Sequence, residues 1–158
     1  MQLNNCTFRE SRSRRTEGFT LIEVLIALII MSVGMLGIAG LYVHSMQAGR
    51  TSLFRHHAVT LAGDIADRIR ANPRAAEAYA GAGADNACVD GGIDCTPVQM
   101  AGNDIFLWRQ QAADTLPAGV VNVVFNGGVA PPTYQITVQW NEPGQVMTYT
   151  ITIPVIPI

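Results

Sequence analysis

The chain has 158 residues, enough for one domain and little more. Its 12 acidic and 10 basic residues, every basic one an arginine, leave a net charge of −2 and exclude a basic nucleic-acid binder on composition. Apolar residues make up 49% and charged residues 14%, against about 25% charged in ordinary soluble domains, so part of the apolar content lies outside a soluble core.

The charge is unevenly placed. Arg9, Arg12, Arg14 and Arg15, against Glu10 and Glu17, make residues 1–18 a short basic head on a mildly acidic body. Next comes the first predicted element, an apolar helix from Phe19 to Val43 whose only charge is Glu23. At about 1.5 Å per residue it is roughly 37 Å long, enough to span a hydrocarbon core of about 30 Å. The arginines hold its start on the cytoplasmic side, so everything after Val43 lies across the membrane. A plain anchor and a secretory signal cut after Ala39, at Gly37-Ile38-Ala39, are the simple readings. Three features oppose them. The run is longer than the roughly 7–15 apolar residues of a signal. Glu23 sits inside it, and a carboxylate at the centre of a membrane helix costs about 2.5–3.5 kcal/mol, less near an end. The junction Glu17-Gly18-Phe19-Thr20 puts a small residue where a cytoplasmic-face peptidase has room to cut. Such a cut frees the Phe19 amine one helical turn from Glu23.

The eleven residues Gly18-Phe19-Thr20-Leu21-Ile22-Glu23-Val24-Leu25-Ile26-Ala27-Leu28 resemble the class III signal of type IV pilins and type II secretion pseudopilins. The resemblance implies that prepilin peptidase cuts after Gly18 and methylates the new N-terminal Phe19. It also implies that Glu23 pairs with the N-terminal amine of a neighbouring subunit during assembly. Physics agrees, since an amine and a carboxylate in apolar surroundings stabilise each other only when brought together. Two further stretches, Ile30–Leu41 and Leu61–Pro73, are similar to PilV-type minor pilins, the pilus modification proteins. The implied partners are prepilin peptidase, other major and minor pilins, and the inner membrane before assembly. The implied location is a single-pass inner-membrane protein with a periplasmic head, later part of the pilus fibre.

Beyond Val43 the apolar positions narrow to one stripe. Phe54, Ala58, Leu61, Ile65 and Ile69 share a helical face, opposite Arg55, His56, Asp64, Asp67, Arg68 and Arg70. The pairs Asp64/Arg68 and Asp67/Arg70 read as a solvated face, each worth about 0.2–0.5 kcal/mol. Asn72-Pro73 ends the helix, because the residue before proline disfavours the helical region. The helix thus runs over 19–72, with 19–43 transmembrane, behind a leader of residues 1–18. Gly34, Gly37 and Gly40 allow close helix packing, a weak point, or simply tolerated membrane glycines.

Residues 73–158 read as a β-rich head. Over 74–103 glycine and aspartate predict a loop. Asn103 or Asp104 is expected to cap a short helix over 105–115 that turns Ile105, Trp108 and Ala112 inward. Strands follow at 119–125, 134–140 and 146–153. Tyr134, Ile136, Val138 and Trp140 alternate to one face, and Met147, Tyr149, Ile151 and Ile153 oppose Val146, Thr148, Thr150 and Thr152. Pro143-Gly144 suits the centre of a type II turn within a longer hairpin loop. The fold class is α+β: a long N-terminal helix packed on a small antiparallel sheet, which is also what the pilin resemblance implies.

Cys88 and Cys95 lie in the predicted loop, and an oxidising compartment would join them. A metal site is the rival, but it wants four ligands and neither a His nor a third Cys is near. Cys6 lies in the leader. Asp90 and Asp94 are a poor set for Ca²⁺, which takes about 6–8 oxygens. His44, His56 and His57 lie along the helix and read as solvated. No catalytic motif, phosphate-binding loop or cofactor motif is present in the sequence. The reading is a non-enzymatic minor pilin, incorporated into or priming the pilus fibre. A minor pseudopilin of a type II secretion system is the alternative, and a signal-cleaved soluble domain the third possibility.

Overall fold

The computed structural model describes residues 18–89 and 94–155. Residues 1–17 of the expected leader, with Cys6, and also Asp90 lie outside the described residues. The order of elements is α1 (Leu21–Ala71), a 3₁₀ helix (Pro73–Ala80), α2 (Pro97–Thr115), β1 (Val120–Asn126), β2 (Thr133–Glu142) and β3 (Gln145–Pro154). The chain divides into two compact units, Met1–His44 and Ser45–Ile158.

In the first unit every described residue is exposed. Helix α1 is long and apolar enough here to cross a membrane, with a mean hydropathy of 2.6 over its most apolar 18-residue window. A helix that is apolar all round has no face to turn to water, so its own sequence calls for apolar surroundings.

The second unit has its own core. The remainder of α1 buries Ala58, Leu61, Ala62, Ile65, Ala66 and Ile69, which is the predicted stripe from Ala58 onward widened by two alanines, with Phe54 half-buried against it. Asn72-Pro73 ends α1, with Asn72 outside helical geometry at φ −124° and ψ 59°. Helix α2 contributes Ala101, Ile105, Trp108 and Ala112. The sheet contributes Tyr134, Ile136, Val138 and Trp140 from its centre, with Val121, Val123 and Ile153 from its flanks. Tyr79 of the 3₁₀ helix stacks on Trp108 with ring centroids 5.7 Å apart and meets Tyr134 edge-on at 6.4 Å. These aromatic contacts add about 0.5–1.5 kcal/mol each to the area they bury.

The sheet is antiparallel with strand order β1-β2-β3. Val123, Ile136 and Ile151 stand side by side across it, as do Asn122, Thr137 and Thr150 on the other face. The alternation expected in β2 and β3 holds along both strands. The class is α+β, as expected.

Three local expectations need correction. Residues 74–103 are not all loop: the 3₁₀ helix occupies their start and α2 begins at Pro97. Asn103 and Asp104 do not cap α2 but are buried inside it. The cap is Thr96. Its Oγ1 accepts from the Gln99 amide at 3.3 Å, and Gln99 Oε1 accepts from the Thr96 amide at 2.9 Å. This is the reciprocal pattern of Thr-x-x-Gln, with Pro97 at the first helical position. Finally, Pro143-Gly144 is the whole β2–β3 connection rather than part of a longer loop, because Glu142 already pairs with Gln145. Gly144 has φ +84°, which the third position of a type II turn requires and glycine accepts without strain.

Candidate functional site

Gly18, Phe19 and Thr20 are non-helical, and α1 starts at Leu21. Thr20 is the residue that starts it. Its carbonyl accepts from the amides of Glu23 and Val24 at 3.1 and 3.3 Å, and its Oγ1 accepts from the Glu23 amide at 3.4 Å. The signal for this, Thr20-x-x-Glu23, stands inside the very motif that carries the family resemblance, and a reading of Glu23 as a buried charge alone passes over it. Glu23 therefore stands in the first turn, where a carboxylate also complements the helix dipole. Its carboxylate has no ion-pair partner among the described residues. Phe19 and Leu21 are 83% and 79% exposed. The structure thus gathers Gly18, Phe19 and Glu23 within one exposed turn.

The head is tied at the other end of α1. Arg68, read from sequence as solvated, does reach Asp64 at 3.4 Å, with both side chains half exposed. Its Nη1 also donates to Oδ1 of the buried Asp104 at 2.9 Å. Tyr79 donates to Oδ2 of the same carboxylate at 3.1 Å, and Asn72 Nδ2 donates to the Tyr79 oxygen at 3.2 Å and to the Pro97 carbonyl at 2.9 Å. Burial pushes the Tyr79 hydroxyl well above the ordinary tyrosine range. The Asn72 donor opposes that shift, and the Asp104 charge adds to it. The network holds α1, the 3₁₀ helix and α2 together and offers no open reactive group. Asp67 and Arg70 pair at 2.9 Å as expected, on an exposed face.

Cys88 and Cys95 form a disulfide, with Cα atoms 5.8 Å apart. Bonded sulfurs are not thiolate ligands, which removes the metal reading of this pair. The segment beside them is pinned to α2: Asn103 Oδ1 accepts from the amides of Asn86 and Cys88 at 3.0 and 3.5 Å, and Asn86 Nδ2 donates to the Gln99 carbonyl at 2.8 Å. Asn103 therefore orders the bridged loop, a role that no local pattern announces. Among the described residues, no group of three metal-ligating side chains comes together. His56 and His57 have ring centroids 6.3 Å apart and tilted planes.

One long helix, apolar and exposed in its first part and packed on a three-stranded antiparallel sheet in its second, defines a pilin-like subunit. The family comparisons agree along a contiguous stretch. A model of the prokaryotic N-terminal methylation motif matches residues 13–39, and a model of type IV pilin Tt1218 matches residues 40–106. Together the two matches run over residues 13–106 and support a type IV pilin with a class III signal. A comparison with curated proteins and one with solved structures each returned no match. Type IV pilins are structural subunits, which accords with the sequence reading of a non-enzymatic chain.

Proposed function

We propose that this pilin is a minor, PilV-type subunit of a type IV pilus, cut by prepilin peptidase after Gly18, methylated on Phe19, and held in the inner membrane by residues 19–43 with its head in the periplasm until it enters the fibre. The observation that carries the reading is the pairing of an all-round apolar helix with a first-turn Glu23 that has no ion-pair partner among the described residues. A Cβ at Gly18 would meet nothing within 4 Å. The fold itself makes no demand for glycine there, and a peptidase that admits only a small residue supplies one. Glu23 has no cation within the apolar run, so the amine of a neighbour's Phe19 is its natural partner. Leu21, Val24, Leu25 and Leu28, all exposed, then pack on other pilin helices.

Two substitutions test the two steps separately. Gly18→Glu leaves the precursor uncut; a mature-length product from that variant would refute the cleavage site. Glu23→Ala is inserted and cut normally, because removing the carboxylate only eases insertion. Its ratio in sheared pili to membranes falls by about tenfold or more, the equivalent of at least ~1.4 kcal/mol of lost pairing. Glu23→Asp is intermediate. An unchanged ratio for Glu23→Ala assigns recruitment to the head instead.

A further inference from the structure

An open groove of about 690 Å³ lies in the second unit between α1 and the β2–β3 turn, lined in part by Arg50, Thr51, Phe54, Pro117, Glu142 and Pro143. Its size is within the roughly 300–1,000 Å³ of small-molecule sites. The groove holds one cation and one anion, and no ion pair joins Arg50 to Glu142. Glu142 is fixed in place: Oε2 accepts from the Thr51 hydroxyl at 2.8 Å and Oε1 from Trp140 Nε1 at 3.0 Å. Each carboxylate oxygen keeps a lone pair for a further donor. Arg50 is exposed and offers its guanidinium fork. Phe54, Pro117 and Pro143 supply apolar wall.

The groove also has a definite place in the chain. Gln47 lines it four residues after Val43, the last residue of the apolar run, and Arg50 lies three residues further on. On the reading that residues 19–43 span the membrane, on which this inference rests, that is where lipid headgroups begin.

We propose that this groove binds the headgroup of an ethanolamine phospholipid, with the phosphate on Arg50 and the ammonium on Glu142. The charge complement selects a zwitterion with its two charges joined by a short carbon link. A primary ammonium donates hydrogen bonds to the Glu142 carboxylate. The quaternary nitrogen of choline has no proton to donate, and a glycerol headgroup has no cation to offer. Ethanolamine lipid is therefore preferred over both.

The test uses the full chain in nanodiscs holding equal amounts of ethanolamine, choline and glycerol phospholipids with identical acyl chains. Native mass spectrometry of the released protein counts the lipid retained. The expected result is about tenfold or greater enrichment of ethanolamine over choline lipid, the scale of one charge-assisted hydrogen bond. Glu142→Gln keeps an acceptor for Thr51 and abolishes that enrichment. Arg50→Gln, at an exposed residue with no ion pair among the described residues, lowers retention of all three lipids. The proposal is overturned if the unmodified protein shows no preference, as when a segment of a neighbouring pilin is the true occupant, if Glu142→Gln keeps the preference, or if Arg50→Gln leaves lipid retention unchanged. Protein that elutes apart from the nanodiscs would instead break the membrane reading, and this proposal with it.

Discussion

The two parts of α1 are both rich in apolar residues, yet they are solved differently. From Leu21 to Val43 nothing is buried, and apolar side chains point in every direction. From Ala58 to Ile69 six residues are buried, three of them alanines, while Asp64 and Asp67 stay exposed and Arg68 reaches across to the buried Asp104. A single apolar stripe with small side chains lets other elements of the head approach closely. A helix without a polar side leaves no orientation that water tolerates, and so commits the chain to lipid or to other helices. Apolar content alone does not say where a helix belongs; its distribution around the axis does.

Breaking the head's core sharpens this contrast most. Trp108 is 2% exposed and stacks on Tyr79. Trp108→Ala should destabilise the head by about 3–5 kcal/mol in urea, followed by far-UV circular dichroism of full-length protein in detergent. Leu36→Ala, at a position 74% exposed, should shift the same midpoint by no more than about 0.5 kcal/mol. Comparable losses from both would show that the first unit contributes to the head's stability.

Next in size is the disulfide. Replacing Cys88 and Cys95 together by serine should cost about 2–3 kcal/mol on the chain-entropy model, read from the same denaturation curves. Amide exchange should quicken at Asn86 and Cys88, whose amides donate to Asn103. Unchanged exchange there would mean that Asn103 holds the loop unaided.

The smallest effect depends on pH. Burial raises the Tyr79 ionisation in the folded state, so the neutral phenol is the form that folding favours. Its stabilisation is complete below about pH 10, where an unfolded tyrosine begins to ionise, and is lost as pH rises further, by at most ~1.4 kcal/mol per pH unit. Tyr134, also raised by burial, acts in the same direction. Tyr79→Phe should therefore flatten the alkaline fall in stability without abolishing it. An equally steep fall in that variant would assign the whole effect to other groups.

These features were not equally legible in the sequence. The period-two alternation of Tyr134, Ile136, Val138 and Trp140 gives both the strand and its inner face, and the fit is close because β2 is the central strand with one face on the core. Phe54 to Ile69 reads as a helix face for the same kind of reason. The start of α2 was obscured because glycine and aspartate dominate the composition around it, although Thr96-Pro97 and Gln99 form a complete local start signal. Asp104 shows the opposite limit. Its partners Arg68 and Tyr79 lie 36 and 25 residues away, so no window of sequence brings them together. Read locally, a polar residue near a helix start is a cap; only the tertiary fold makes it a buried tie. At the N-terminus the motif around Gly18, Phe19 and Glu23 stands out through its resemblance to a signal, whereas the part of Thr20 in starting α1 needs the hydrogen bonds.

Thr20 has a consequence for how the precursor would be handled. By starting α1 where it does, it leaves the peptide bond between Gly18 and Phe19 ahead of the first helical turn. A peptidase engages its substrate as unwound chain, and a bond inside a long helix must first be melted at the cost of the hydrogen bonds around it. On the proposed cleavage after Gly18, the cap sets a hard stop that spares the bond to be cut from winding. The apolar segment can then stay helical from Leu21 onward while that bond is already presented.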